Sequence, residues 1–96
     1  MIVNLQEAKQ HLRVDIDDDD DNIVLKRDQA EAIVIDYLKL DAGTYDIDAS
    51  PYTAPPKPVT AAILMVLTNL YDNPDQDPLS VAVRSILHRL RDPALA

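Results

Sequence analysis

The chain contains no cysteine, tryptophan or phenylalanine, and one glycine among its 96 residues. Without cysteine there is no disulfide and no thiolate metal site, and the redox compartment is left open. A lone Gly43 gives almost no backbone freedom for a phosphate-cradling loop or an oxyanion nest. Aromatics, all of them tyrosine, make up 4% of a chain that is 47% hydrophobic, so the core must be built from Leu, Ile, Val and Ala. That composition favours packed helices over a sheet. No apolar run approaches the roughly eighteen residues of a membrane span, and MIVNLQEAK lacks the basic and apolar regions of a signal peptide, so neither is expected. Positive charge is scarce too: nine Lys and Arg against seventeen Asp and Glu give −8 and a pI near 4.4. Proteins that grip DNA by neutralising phosphates need clustered Lys and Arg, so that class is disfavoured, whereas a surface that lets DNA pass is compatible with acid.

The length supports a single domain over 1–96, and a domain of this size buries only about 60–65% of the surface its unfolded chain exposes. Neighbouring copies are a natural source of further burial. Asn4 followed by Glu7 reads as a capping box that opens a short helix from Leu5 to Leu12, with Leu5, Ala8 and Leu12 on its docking side. Asp15 to Asp21 holds six aspartates interrupted only by Ile16, and aspartates gathered ahead of a helix satisfy free amides and complement its dipole. The second helix should start between Asp18 and Asp21. Its apolar stripe runs through Ile23, Ala30, Val34, Tyr37 and Leu38, with Val24 and Ile33 on the shoulders and Asp28, Glu31 and Asp36 facing elsewhere. Leu25 and Ile35 lie off the stripe, leaving a second face for a neighbouring subunit.

Residues 41–57 form a Pro-containing loop, in which Thr44 to Asp48 alternates enough to permit a short strand. Pro58 suits the first turn of a third helix, nearly continuously apolar from Ala61 to Leu70 and therefore central. After a turn over Asp72 to Asp77, Pro78 should open a fourth helix with Leu79, Val83, Ile86, Leu87 and Leu90 on one face, ended by Pro93. The expected fold is all-α, a small bundle of about four helices with one long loop.

The aspartate run can be laid onto a calcium loop, with Asp17, Asp19 and Asp21 alternating, Ile23 at the carbonyl position and Asp28 at the twelfth. Asn22 replaces the turn glycine, Asp replaces the closing Glu, and Asp28 belongs by periodicity inside the second helix. A solvated, helix-capping acidic turn is the better reading. His11 and His88 each lie near an Arg rather than at metal-ligand spacing. No nucleophile–base order stands out, and carboxylates without a partner that shifts their pKa are no catalytic signal, so neither an enzyme nor a cofactor is expected. The basic C-terminal segment RSILHRLRDPALA stands out in an acidic chain, either as a docking surface carried by Arg84, Arg89 and Arg91 or as dipole compensation at a helix end.

The stretch LQEAKQHLRVDIDDDDDNIVLKRDQAEAIVIDYL resembles the N-terminal half of the head-to-tail connector (adaptor) proteins of long-tailed double-stranded DNA phages. The resemblance is carried by Leu5, Glu7, Ala8, Lys9, His11, Leu12, Arg13, Val14 and Asp15, then by Asp36 and Tyr37, and downstream by Leu70, Tyr71 and Asp72 and the proline-started, Arg-rich closing helix. Arg27 and Asp28 depart from it, since members often carry apolar residues there. The resemblance implies a structural neck protein of the virion, made in the host cytoplasm. Such proteins form closed homo-oligomeric rings, roughly twelve-fold, through heterologous contacts. A ring of this kind binds the portal, receives the tail or stopper, and passes double-stranded DNA without reading it. Residues 89–96 would then be a docking tail, and Asp17, Asp18, Asp19, Asp20 and Asp21 a channel-lining turn. The alternative is a small helical regulatory or calcium-responsive binding module.

Overall fold

A computed structural model describes residues 1–40, 45–48 and 52–91, the last by its backbone. Four helices, α1 (Leu5–Leu12), α2 (Asp20–Tyr37), α3 (Lys57–Asp72) and α4 (Val81–Arg91), pack into a small all-α bundle, with no strand among the described residues. The capping box forms as the sequence predicts. Asn4 Oδ1 accepts the Glu7 backbone N–H at 2.8 Å, and Glu7 Oε1 accepts that of Asn4 at 3.4 Å.

Both α1 and α2 stop without glycine. Arg13 and Lys39 each take φ of 60°, and the following residues close the turn, with Val14 N–H donating to the Lys9 carbonyl and Leu40 N–H to that of Ile35. These are Schellman ends, in which a left-handed residue turns the chain back over the last carbonyls.

α3 lies at the centre, packed chiefly against α2 and then α4. Val59, Ala62, Ile63, Val66 and Leu67 are its buried face, spaced at three and four residues as a helix requires. They meet Ile23, Ala30 and Val34 of α2, Ala8 of α1, Val83 and Leu87 of α4, and Val3 of the N-terminal segment in one apolar core. Pro58 sits at the second helical position, where no intrahelical N–H is missed.

The buried side of α2 corrects one expectation. Glu31 does not face elsewhere: it is 9% exposed and accepts the backbone N–H groups of Ile2 at 2.9 Å and Val3 at 2.8 Å. Positions 23, 27, 31 and 34 fall on one helix face, and two of the four carry charge, so a purely apolar stripe misplaces them. Arg27, at 8% exposure, donates to Asp28 Oδ1 through Nε and Nη2, and its Nη1 reaches Met1 Sδ at 3.4 Å. The departure at Arg27 and Asp28 is thus accommodated by pairing the two with each other.

Two further expectations change. Pro78 does not open α4, because the chain turns once more and the helix begins at Val81, with Ser80 Oγ accepting the Val83 N–H and the Pro78 carbonyl taken by Asn69 Nδ2. Tyr45 to Asp48 form a turn rather than a strand, held by the Ile47 N–H on the Met1 carbonyl and by Asp46 on the N-terminal ammonium; Thr44 lies outside the described residues. The stop at Pro93 also lies outside them.

Candidate functional site

Two surface features stand out, one beside the C-terminal end of α3 and one along α4, whose last turns reach the N-terminal end of α3. The first is the acidic turn ahead of α2. Lys9, projecting from α1, lies 2.6 Å from Asp17 Oδ1 and 2.8 Å from Asp20 Oδ1, so one cation holds the turn against the first helix. The hydrogen bond to Asp17 and then that to Asp20 raise the Lys9 pKa, and the same contact lowers that of Asp17. Asp19 is fixed from the other side: the Tyr71 hydroxyl donates to its Oδ2 at 2.5 Å, and Asn22 Nδ2 donates to the same oxygen at 3.4 Å. That bond, reinforced by loss of solvent, raises the Tyr71 pKa.

Asp17, Asp19 and Asp20 are therefore committed to internal partners, while Asp18 and Asp21 are exposed. Asp28 sits well inside α2 beside Arg27 and does not return to the turn. Among the described residues no cluster of carboxylates and histidines is arranged to hold a metal ion. An open cleft of about 530 Å³ runs between α1 and the turn, lined by Leu5, Lys9, Val14 and Asp17 among others.

The second place is α4. Arg84 is already engaged, donating through Nη2 to Asp77 Oδ2 and through Nε to the Leu79 carbonyl, both at 2.8 Å. Asp77 also accepts the Leu79 N–H, and that bond, followed by Arg84, lowers its pKa. Arg89 is exposed and has no ion-pair partner among the described residues. The Arg91 side chain and residues 92–96 lie outside the described part. Between α3 and α4, Pro58, Ala61, Ile86 and Leu90 line an apolar groove of about 410 Å³ with Arg89 on its edge.

The arrangement separates the three arginines that the sequence groups together. Arg84 secures the entry to its own helix, whereas Arg89 has no ion-pair partner among the described residues. Sequence reasoning missed Lys9 as the clamp of the acidic run and missed the groove altogether. The first had a signal, since a lone lysine on a short helix faces six aspartates; the second had none.

These features are of a small helical part with charged surfaces. The family model described as phage gp6-like head-tail connector protein matches residues 2–91. The chain belongs to this family. Among curated proteins and solved structures, nothing matches it. As a head–tail connector it has a structural role in the phage neck, in contact with other virion components, and its family is not one of enzymes. Among the described residues no helix is long and apolar enough to cross a membrane.

Proposed function

We propose that this connector assembles as a ring of identical copies between portal and tail, continuing the DNA channel and offering a platform to the tail or its stopper. The observation that carries this reading is the division of charge along the bundle. Committed and exposed aspartates gather at the C-terminal end of α3, while the exposed Arg89 and the apolar groove lie at its N-terminal end. A particle with two unlike ends suits heterologous contacts, which close into a ring when the rotation permits.

Asp18 and Asp21, exposed and anchored by their tied neighbours, are the acidic residues suited to line the channel. Like charge there keeps duplex DNA from adhering to the wall during packaging and ejection. Contacts with neighbouring virion components, whether the next copy, the portal or the tail side, fall to the α4 arginines, Arg89 and Arg91 ahead of Arg84. Residues 1–96 act as one domain in this scheme, made in the host cytoplasm before joining the virion. Electron microscopy of the purified protein with its cognate portal tests the reading: a coaxial ring of connector density is expected, and a portal left bare at saturating connector would refute it.

A further inference from the structure

Ile16 is out of place in the acidic turn. It is 60% exposed, flanked by Asp15 and Asp17, in a segment whose other members are all carboxylates. Solvation accounts for the aspartates and gives no reason for an isoleucine at their head. The turn that follows it is tied to Lys9 on one side and to Tyr71 on the other, so Ile16 adjoins a segment braced against the bundle.

At the far end of α3 lies a site of complementary character. Pro58, Ala61, Ile86 and Leu90 form an apolar groove with room for a branched aliphatic side chain and the backbone beside it, and Arg89, exposed and without an ion-pair partner among the described residues, stands on its edge. Lys57 adjoins Pro58, and the first turn of α3 carries no acidic residue, so that turn does not itself offset the positive end of the helix dipole. The two sites cannot meet within one molecule. Asp19 is bonded to Tyr71, and from Tyr71 back to Ala61 the helix runs about 15 Å at 1.5 Å per residue.

We propose that Ile16 of one copy seats in the α3/α4 groove of the next, with Asp15 facing Arg89. This rests on the ring reading and supplies its subunit contact. An aliphatic anchor with a neighbouring carboxylate meets an apolar groove with a neighbouring cation, which matches both the shape and the sign of the two surfaces. Because the sites occupy opposite ends, each copy offers one and accepts one, and the contact propagates head to tail.

The cysteine-free chain makes the test direct. Ile16→Cys and Ala61→Cys alter exposed positions, so both proteins should fold, as circular dichroism would verify. Mixed in equal amounts at high concentration and oxidised with diamide, they should give a disulfide-linked dimer that neither forms alone. Adding Arg89→Glu to the Ala61→Cys partner should slow the linkage about tenfold, more at low salt than at high salt. Sedimentation of the unmodified protein separates the outcomes. Self-association without the mixed disulfide would overturn this contact and leave the ring standing; no self-association and no disulfide, with or without portal, would remove both. A dimer formed by Ile16→Cys alone would show a symmetric contact and overturn the head-to-tail one. Unchanged self-association with loss of neck assembly on Ala61→Arg would give the groove to a different virion protein.

Discussion

Val3 donates its backbone N–H at 2.8 Å to the carboxylate of Glu31, twenty-eight positions later and inside the bundle. The same oxygen takes the Ile2 N–H, so one side chain of α2 satisfies two donors of a segment that has no helix or sheet of its own. That bond is what lets Val3 be fully buried.

Glu31→Ala should accordingly cost about 2–3 kcal/mol, since it leaves the buried Val3 amide and the part-buried Ile2 amide without an acceptor and removes charge-assisted bonds. Asp36→Ala, exposed on the same helix, should change stability by about 0.5 kcal/mol or less. Urea melts of the two variants would make the comparison, and equal costs would mean that the N-terminal segment is not held by Glu31.

Leu67→Ala should cost about 2–5 kcal/mol because Leu67 is fully buried in the central helix. Leu70, on the same helix but only partly buried, should cost less, and Asp18→Ala in the exposed part of the acidic turn about 1 kcal/mol or less. Denaturant unfolding would rank the three. A different order would show that the core lies elsewhere.

The acidic turn should loosen at both extremes of pH. The folded pKa of Asp17 is lowered, so its contribution is present above the ordinary value of 3.8 and is lost as pH falls through the folded one. Lys9 and Tyr71 are raised, so theirs are present below their ordinary values of 10.5 and 10.0 and are lost as pH rises through the folded ones. Amide NMR shifts of residues 15–22 followed against pH should therefore move together below about pH 4 and again above about pH 10, and stay level between. Tyr71→Phe should leave the acidic limb in place and reduce the alkaline one.

Arg84→Ala and Arg89→Ala should differ in what they disturb. Arg84 and Asp77 form an exposed, solvent-screened pair at the entry to α4, so its loss should appear as a small drop in melting stability at most. Arg89 makes no such contact among the described residues, and its loss should leave melting unchanged while weakening assembly with neck partners. A change in melting on Arg89→Ala would place that side chain in the fold instead.

What the sequence made legible was local. The capping box at Asn4 and Glu7 and the span of α1 follow from residues three or four apart, and the start of α2 from aspartates ahead of an amphipathic run. The apolar circumference of α3 announced its central place. What it concealed depends on partners distant along the chain. Nothing near Glu31 indicates that Ile2 and Val3 need an acceptor, and nothing near Asp19 points to Tyr71, fifty-two positions away. The start of α4 was misread for a different reason: Pro78 and Ser80 both signal a helix start, and the carbonyl of Pro78 is taken by Asn69, which leaves Ser80 as the cap. Of the candidate site, the acidic and basic segments were visible as composition, but their division into tied and free members was not.

The left-handed residues Arg13 and Lys39 each do two jobs that usually fall to different residues. An L-residue with a side chain in this conformation costs about 1 kcal/mol relative to glycine, which explains why glycine is the usual occupant. A cation beside the carbonyl end of a helix recovers about 0.3–1 kcal/mol from the dipole. Glycine at either position would relieve the first cost and forfeit the second gain, so the substitution that is elsewhere a dependable route to stabilisation should here be close to neutral. A chain with one glycine has thus traded conformational ease at the ends of α1 and α2 for charge.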